Sequence, residues 1–202
     1  MFRPRTARKD LDRYRRKGLD RLERRIVERA SQDGLAGARV LEVGGGIGAI
    51  QAELLEAGAE QGEIVELVDA YEPFSRELAR EKGLEGRVSY RVADLLESPG
   101  EFSLSDVVVL NRVVCCSPDG VELTSAAARL AGRSLFLTFP RDTPWARAAV
   151  RLLNVGFWLL RRSFRTFVHP PAALVAAAEA EGLRLVERDG EGLWELLAFE
   201  RA

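Results

Sequence analysis

The stretch that decides the fold is Ala38-Arg39-Val40-Leu41-Glu42-Val43-Gly44-Gly45-Gly46-Ile47-Gly48-Ala49-Ile50. An apolar run leads into four glycines and then opens an amphipathic segment that continues to Glu56, which predicts a strand, a tight turn and a helix. Glycines let the backbone turn sharply and approach a ligand closely. The N–H groups at the start of the helix present partial positive charge to an anion. The stretch therefore predicts a nucleotide-type cofactor site.

Two classes of ligand share such a turn. The spacing of Gly44, Gly46 and Ala49 fits the Gly-x-Gly-x-x-Ala pattern of dinucleotide-binding proteins. Glu42 favours another class, because a dinucleotide site usually keeps an apolar residue two positions before the first glycine. A carboxylate at that position can bind an ammonium group of a ligand.

Glu42-x-Gly44-x-Gly46-x-Gly48 resembles the first motif of the class I S-adenosylmethionine-dependent methyltransferases. The cofactor of that family carries a carboxylate, an ammonium group, a ribose and an adenine, but no phosphate. The resemblance, which covers about residues 38 to 200, implies that S-adenosylmethionine is bound here. It assigns cofactor contacts to Glu42, Gly44, Gly45, Gly46 and Gly48.

The resemblance extends to an acid after the next predicted strand, 64–69. Asp69 stands where an acid of the family accepts hydrogen bonds from both ribose hydroxyls. Two alternatives remain: Asp69 as a surface cap of the helix that begins near Pro73, or Glu72 in the ribose role. Ala70 and Tyr71 lie where the family packs a side chain on adenine.

Further cofactor contacts follow the third predicted strand, 87–92, and the fourth. The resemblance implies that Asp94 bonds the adenine amino group and that the N–H of Leu95 bonds a ring nitrogen. The fourth strand, 106–114, is continuously apolar, as a central parallel strand should be. Asn111 and Arg112 on it would border the methionine end of the cofactor.

Alternating strands and helices predict an α/β fold, namely a doubly wound, mostly parallel seven-stranded sheet with an antiparallel last strand. At 202 residues and 47% hydrophobic content, the chain is expected to form one methyltransferase domain, 1–202. The remaining predicted strands and helices are 134–139, 183–188 and 193–200, and 48–57, 73–82, 121–131 and 171–181.

The N-terminal arm, 1–31, is basic, with twelve Arg or Lys and five acidic residues in its first 29 positions. Such an arm can bind nucleic acid or an anionic membrane. A helix with an apolar stripe and a solvated charged face is favoured instead, broken into two by Gly18. The resemblance makes Tyr14 a candidate lid residue over the cofactor.

Residues 140–169 are longer than a strand-to-helix connection needs and predict a helical cap over the acceptor site. Thr143-Pro144 is an N-cap signal, and 145–160 can form one helix with a broad apolar face. Six arginines against one acid suit an amphiphilic anionic acceptor or a membrane surface, whereas a core-packed helix with a solvated basic rim is the alternative. His169 follows as a candidate acceptor-orienting group or base, or a loop histidine without chemistry.

Composition narrows the remaining classes. The sequence has no apolar run of membrane-spanning length and no apolar signal core after Met1, so a cytoplasmic location is expected, with peripheral membrane contact possible through the cap. Cys115, Cys116 and the single histidine lack zinc-site spacing, so no metal is expected. Packing is favoured over nucleophilic catalysis for the two thiols, because no base adjoins them.

The sequence thus predicts an S-adenosylmethionine-dependent methyltransferase of a small molecule, with oxygen favoured as the acceptor atom. No nucleic-acid acceptor is expected, since the Asn-Pro-Pro-Tyr type signature is missing after the fourth strand. Tyr14 to Leu19 and Val168-His169 resemble porphyrin-carboxylate O-methyltransferases faintly. The alternatives are a non-catalytic cofactor-binding protein and a nicotinamide-dependent reductase. A reductase would need a catalytic group such as the Tyr-x-x-x-Lys pair of short-chain reductases, and no lysine lies four positions after a tyrosine in this sequence. The oligomeric state is left open.

Overall fold

A computed structural model describes residues 4–32, 34–162 and 164–202. Residues 1–3 of the predicted arm and Ser163 of the predicted cap lie outside this part of the chain. The described residues form one seven-stranded sheet in the order β3-β2-β1-β4-β5-β7-β6, in which β7 runs antiparallel to its two neighbours. The predicted fold class is confirmed. The strands are β1 Arg39–Val43, β2 Gln61–Glu66, β3 Val88–Val92, β4 Ser105–Asn111, β5 Ala131–Pro140, β6 Leu183–Glu191 and β7 Trp194–Arg201.

Helices cover both faces of the sheet. The helices are α1 Pro4–Lys17, α2 Arg21–Ser31, α3 Ala49–Glu56, α4 Glu72–Glu81, α5 Gly120–Leu130, α6 Pro144–Leu159 and α7 Pro171–Ala180. Along β4, Val107 and Val109 pack with the helices α1 to α4, whereas Val108 and Leu110 pack with α5 and α7. All four are fully buried, which explains why this strand is apolar without alternation.

Several predicted strand boundaries were wrong. β2 begins at Gln61 rather than Ile64, and β5 begins at Ala131 rather than Ser134. β2 ends at Glu66 rather than Asp69, because Leu67 leaves the sheet and Asp69–Tyr71 forms a 3₁₀ turn. β4 ends at Asn111, where the left-handed backbone of Arg112 terminates the ladder. The last hairpin turns at Gly192 and Leu193, not over residues 189–192, so β6 extends to Glu191 rather than Arg188.

The N-terminal arm forms two helices that break at Gly18, as predicted. Its arginines are not simply solvated, because they pair with acids elsewhere in the fold. Arg8 and Arg15 reach Glu77 of α4 at 2.8 and 2.6 Å, and Arg25 reaches Glu187 of β6 at 2.6 Å. Exposed pairs contribute little individually, so the buried leucine and isoleucine stripe of the arm supplies most of the docking energy.

The cap begins as predicted, since the Thr143 hydroxyl accepts the N–H of Ala146 at 3.3 Å and caps α6. None of the helices in the described ranges has the length and apolar character that crossing a bilayer requires. The division of the chain into one domain, an arm and a cap stays a prediction.

Candidate cofactor and acceptor site

The glycine turn after β1 admits no side chains. Gly44, Gly46 and Gly48 have φ angles of 65°, 56° and 73°, in the left-handed region that favours glycine. A β-carbon on Gly45 would lie 2.9 Å from Cδ of Glu42, and one on Gly44 would lie 3.1 Å from Cγ1 of Val113. The backbone of the turn is therefore held close to the ends of β1 and β4.

Glu42 is buried, with 2% of its surface exposed, and its Oε2 accepts the N–H of Gln51 at 3.2 Å. Burial raises the pKa of Glu42 to about 8, and the charges of Glu23 and Glu66 add to the effect. Because a buried carboxylate is costly without a compensating charge, this position suits a ligand cation such as an ammonium group.

Glu66 is a site residue that sequence reasoning missed. Its Oε2 accepts the N–H of Gly46 at 3.2 Å and its Oε1 accepts the N–H of Leu67 at 3.0 Å, while burial raises its pKa. Val43 pairs with Val65, so the tip of β2 lies level with the glycine turn. Asp69 is exposed and begins the following 3₁₀ turn. A correct end for β2 would have identified Glu66 as the acid at the strand tip. The apolar pattern continues past Glu66 to Val68, so the sequence placed the strand end at Asp69 instead.

The predicted adenine contacts lie after β3 and in the turn that follows β2. Asp94 is half-buried and its Oδ1 accepts the N–H of Leu96 at 2.9 Å, while the side chain of Leu95 is buried. Ala70 is half-buried, and the ring of the neighbouring Tyr71 lies 3.4 Å from the position of a β-carbon on Gly46. The ring of Tyr71 thus forms a wall beside the glycine turn.

Tyr14 is buried between three helices. Its hydroxyl hydrogen-bonds Glu53 of α3, and the ammonium of Lys82 lies 5.5 Å from its ring centroid. Burial raises the pKa of Tyr14 to about 12. These contacts anchor α1 on α3 and α4, and a lid role for Tyr14 stays a prediction.

A polar cluster joins the tip of β4 to the arm. Asn111 donates to Glu23 at 3.2 Å, and Thr138 of β5 donates to Asn111 at 2.5 Å. Glu23 closes a capping box with Asp20 at the start of α2. These bonds seat the start of α2 at the carboxyl ends of β4 and β5, beside the glycine turn.

Arg112 leaves β4 with a φ of 60° and stacks its guanidinium 4.7 Å from the ring centroid of Trp194, while it pairs with Asp20. Its backbone N–H bonds the hydroxyl of Thr138 at 2.9 Å. The sequence predicts that Arg112 borders the methionine end of the cofactor and the adjacent acceptor. In the structure, the guanidinium of Arg112 and the ring of Trp194 lie together at this position.

His169 holds the loop after β4. Its Nε2 lies 3.1 Å from the carbonyl oxygen of Val114 and 3.0 Å from that of Ser117, and the ring is buried against Gly120. Since both partners are acceptors, Nε2 carries the proton. Only Nδ1 is left for chemistry, and a base role for His169 stays a prediction.

The cap helix leaves most of its apolar face exposed. Only Ala146, Val150 and Phe157 of α6 are buried, so the alternative of a core-packed helix does not describe most of this face. Asn154 ties α6 to the returning segment through two bonds to the backbone of Thr166, at 2.7 and 2.9 Å. The exposed large apolar residues of the cap are Trp145, Leu152, Leu153, Val155, Trp158, Leu159 and Leu160.

Comparison with known proteins agrees with this geometry. No family model matches the sequence. A ubiquinone biosynthesis O-methyltransferase of Xanthomonas euvesicatoria pv. vesicatoria is 32% identical over 168 residues, which cover 77% of this chain and 66% of that protein. The chain thus spans just under two thirds of that relative's length.

Solved structures give the fold. The magnesium protoporphyrin IX methyltransferase of Synechocystis PCC 6803, crystallised with S-adenosylhomocysteine, matches with a TM-score of 0.71 and 18% identity, over 96% of this chain and 95% of that one. An O-methyltransferase family protein of Burkholderia thailandensis matches with a TM-score of 0.68 and 22% identity, over 90% of this chain and 57% of that one. The chain thus has the fold of the class I S-adenosylmethionine-dependent methyltransferases. In sequence it is similar to the ubiquinone biosynthesis O-methyltransferase.

Proposed function

We propose that this protein transfers a methyl group from S-adenosylmethionine to a small-molecule acceptor, with oxygen as the favoured atom. The observation that carries the proposal is the buried carboxylate of Glu42 beneath a glycine turn too tight for any side chain. The similar proteins named as O-methyltransferases support it.

The residues fit the parts of the cofactor one by one. Glu42 would bind the ammonium group, and the backbone of the glycine turn, Gly44 to Gly48, would lie close to the carboxylate end. Asp69 would accept hydrogen bonds from the ribose hydroxyls. Asp94 and the N–H of Leu95 would bind adenine. The backbone of Asn111 and Arg112 would border the methionine end. Glu66 would hold the glycine turn in shape through the N–H of Gly46.

When bound, S-adenosylmethionine supplies an electrophilic methyl group on a sulfonium. Methyl transfer is an in-line displacement, so alignment of the acceptor in a dry site can supply much of the rate without a strong base. We therefore favour a positioning role for His169, whose Nε2 orders the carbonyl groups of the loop after β4.

The cap suggests the class of acceptor and its source. α6 leaves the carboxyl end of β5, the side of a doubly wound sheet where ligands bind. Trp145, Leu152, Val155 and Leu159 recur at helical spacing on its outward face, and all are exposed. We propose that this outward face lies on an anionic lipid surface at the cytoplasmic side, from which an amphiphilic, anionic acceptor is taken.

The charges of the cap fit such a surface. Arg147 pairs with Asp142, but Arg151, Arg161 and Arg162 are exposed beside the apolar face. Arginines next to exposed tryptophan and leucine side chains match the phosphate and acyl layers of an anionic membrane.

Two measurements test the proposed activity. Calorimetry should show binding of S-adenosylhomocysteine at micromolar strength or better, and no heat with NAD. Incubation with methyl-labelled cofactor and a lipid-soluble metabolite extract should transfer label to an extractable product. Heat with NAD alone would support a reductase and contradict the proposal. Binding without transfer in extracts from several sources would favour the non-catalytic alternative.

A further inference from the structure

Two adjacent thiols face the same carbonyl group in the 3₁₀ turn Val114–Cys116, directly after β4. The Sγ atoms of Cys115 and Cys116 each lie 3.5 Å from the carbonyl oxygen of Arg112. Both side chains therefore lie on one side of the turn, although they are neighbours in sequence.

The two thiols are not equivalent. Cys116 is exposed, whereas Cys115 is 4% exposed, so a solute reaches Cys116 first. A hydrogen bond between the two thiols lowers the pKa of Cys115 and raises that of Cys116. Cys115 therefore loses its proton more readily, which makes it the better attacking sulfur once Cys116 has been oxidised.

The turn that carries the thiols connects the cofactor loop to the cap. The N–H of Cys116 bonds the carbonyl of Val113 at 2.7 Å, and the side chain of Val113 packs against Gly44. The carbonyl of Cys115 accepts the N–H of Phe167 at 2.8 Å and the hydroxyl of Thr166 at 3.2 Å. A change of backbone at the cysteines would reach both sides of the site.

We propose that Cys115 and Cys116 form a hydroperoxide-sensitive dithiol that closes to a vicinal disulfide and weakens cofactor binding. A small hydroperoxide oxidises the exposed Cys116 thiol to a sulfenic acid, with release of water or the corresponding alcohol. The Cys115 sulfur then attacks Cys116 and displaces the hydroxyl group as a second water, taking up the thiol proton. Two protein thiols lose two electrons, and the hydroperoxide gains them.

Closure of this ring requires the turn to move. Adjacent Cα atoms are about 3.8 Å apart across a trans peptide bond, whereas disulfides usually join Cα atoms about 4.4–6.8 Å apart. The backbone must adjust to form the bond, and Val113 lies immediately before the turn. Displacement of Val113 would release the packing that holds Gly44 in place.

The first measurement needs no cofactor. The reduced full chain is treated with hydrogen peroxide and digested with trypsin, which releases both cysteines on the peptide 113–129. We expect that peptide to become lighter by two hydrogen atoms and to regain them with dithiothreitol. Cys115→Ser keeps the exposed thiol of Cys116 and should gain oxygen instead, whereas Cys116→Ser keeps only the buried thiol and should react least. Oxygen gain or intermolecular dimers in the wild-type chain would overturn the inference.

The second measurement rests on the proposed function, because it uses S-adenosylhomocysteine as the probe. Coupled sites typically change each other's affinity by about 5–150-fold, so the oxidised chain should bind at least about fivefold more weakly than the reduced chain. The double variant Cys115→Ser/Cys116→Ser should show the same affinity before and after peroxide. A disulfide that leaves the affinity unchanged would overturn the gating role. Failure of the reduced chain to bind the probe would count against the proposed function alone, because the peptide mass still decides the dithiol chemistry.

Discussion

The side chain of Val113 fills the space beside Gly44 so closely that Cγ1 lies 3.1 Å from where a β-carbon would stand, and Cγ2 lies closer still. Gly44→Ala should therefore destabilise the fold and abolish measurable binding of S-adenosylhomocysteine. The left-handed backbone alone costs about 1–2 kcal/mol for a non-glycine residue, and the clash adds to it. Denaturant unfolding and calorimetry measure the two effects.

Gly83→Ala is the matched control for that substitution. Gly83 has a φ of 66°, close to the 65° of Gly44, but no atom lies within 4 Å of its β-carbon position. Gly83→Ala should lose only the stability that the left-handed backbone costs, about 1–2 kcal/mol, and should keep its affinity for S-adenosylhomocysteine. Equal losses in both variants would show that Val113 does not constrain the turn.

The glycine turn could be predicted from the sequence because its geometry is local. The strand, the left-handed glycines and the helix start lie within residues 38–56, and each residue type has a direct backbone consequence. The role of Glu66 could not be predicted in this way, because the end of β2 depends on its pairing with β1 and β3.

The surroundings of the site depend on still more distant contacts. Asn111 bonds Glu23, which is 88 positions away in the sequence, and Arg112 bonds Asp20, which is 92 positions away. The outward orientation of α6 is likewise a tertiary property, since an apolar helix has the same sequence pattern whether its face meets a core or a membrane.

Glu42 should make stability depend on pH. The folded state keeps a proton on Glu42 up to about pH 8, whereas the ordinary value is 4.5. Between these values the folded state binds one more proton than the unfolded state, so the contribution of Glu42 to the free energy of unfolding falls as pH rises through this window. Glu42→Gln should flatten the curve. Denaturant unfolding at pH 5.5 and 8 compares the two proteins.

The same carboxyl should release a proton when the cofactor's ammonium group binds. Below about pH 8 the free protein holds Glu42 protonated, so binding should be accompanied by proton release and should weaken as pH falls. Calorimetry at pH 7 in buffers of different ionisation enthalpy counts the protons. An unchanged heat across buffers, or an equal release from Glu42→Gln, would remove Glu42 from the ammonium site.

Substitutions should distinguish Asp69, a proposed ligand contact, from Glu66, which supports the glycine turn. Asp69→Asn should weaken S-adenosylhomocysteine binding by about 1.5–3 kcal/mol, the worth of hydrogen bonds to a charged group, with little change in Tm because Asp69 is exposed. Glu66→Gln should lower both the affinity and Tm, because it weakens the bond from the N–H of Gly46. Unchanged affinity in Asp69→Asn would transfer the ribose role to Glu66 or Glu72.

His169→Gln distinguishes a positioning residue from a base. A general base typically contributes about 10²–10⁴-fold to the rate, whereas a residue that orders a loop should mainly change KM and Tm. We expect kcat to fall by less than about tenfold with an unchanged pH profile, because Nε2 is engaged by two carbonyl oxygens. A loss above a hundredfold in kcat, with an unchanged Tm, would restore the base role.

The outward face of α6 provides the last prediction, tested by sedimentation of the protein with vesicles. Leu159→Asp should weaken binding to vesicles that contain phosphatidylglycerol by at least about tenfold, since burial of a leucine contributes about 1.5–3 kcal/mol. Leu104→Asp is the control, because Leu104 is 65% exposed and Leu159 is 67% exposed, but Leu104 lies just before β4 at the opposite end of the strand. Equal losses would assign the effect to general charge rather than to the cap.

The arginines of the cap should act only on anionic lipid. Each basic side chain near such a surface contributes about 1 kcal/mol, so Arg161→Ala/Arg162→Ala should lose about 2 kcal/mol of binding in low salt. Binding to neutral vesicles should be equally weak in both proteins, and S-adenosylhomocysteine affinity should stay near wild type because both arginines are exposed on the cap. A raised acceptor KM with intact vesicle binding would place these arginines on the acceptor instead. If neither vesicle binding nor the acceptor KM changes, the proposed role of the cap is contradicted. If the affinity for S-adenosylhomocysteine falls as much as vesicle binding does, the segment has a structural role instead.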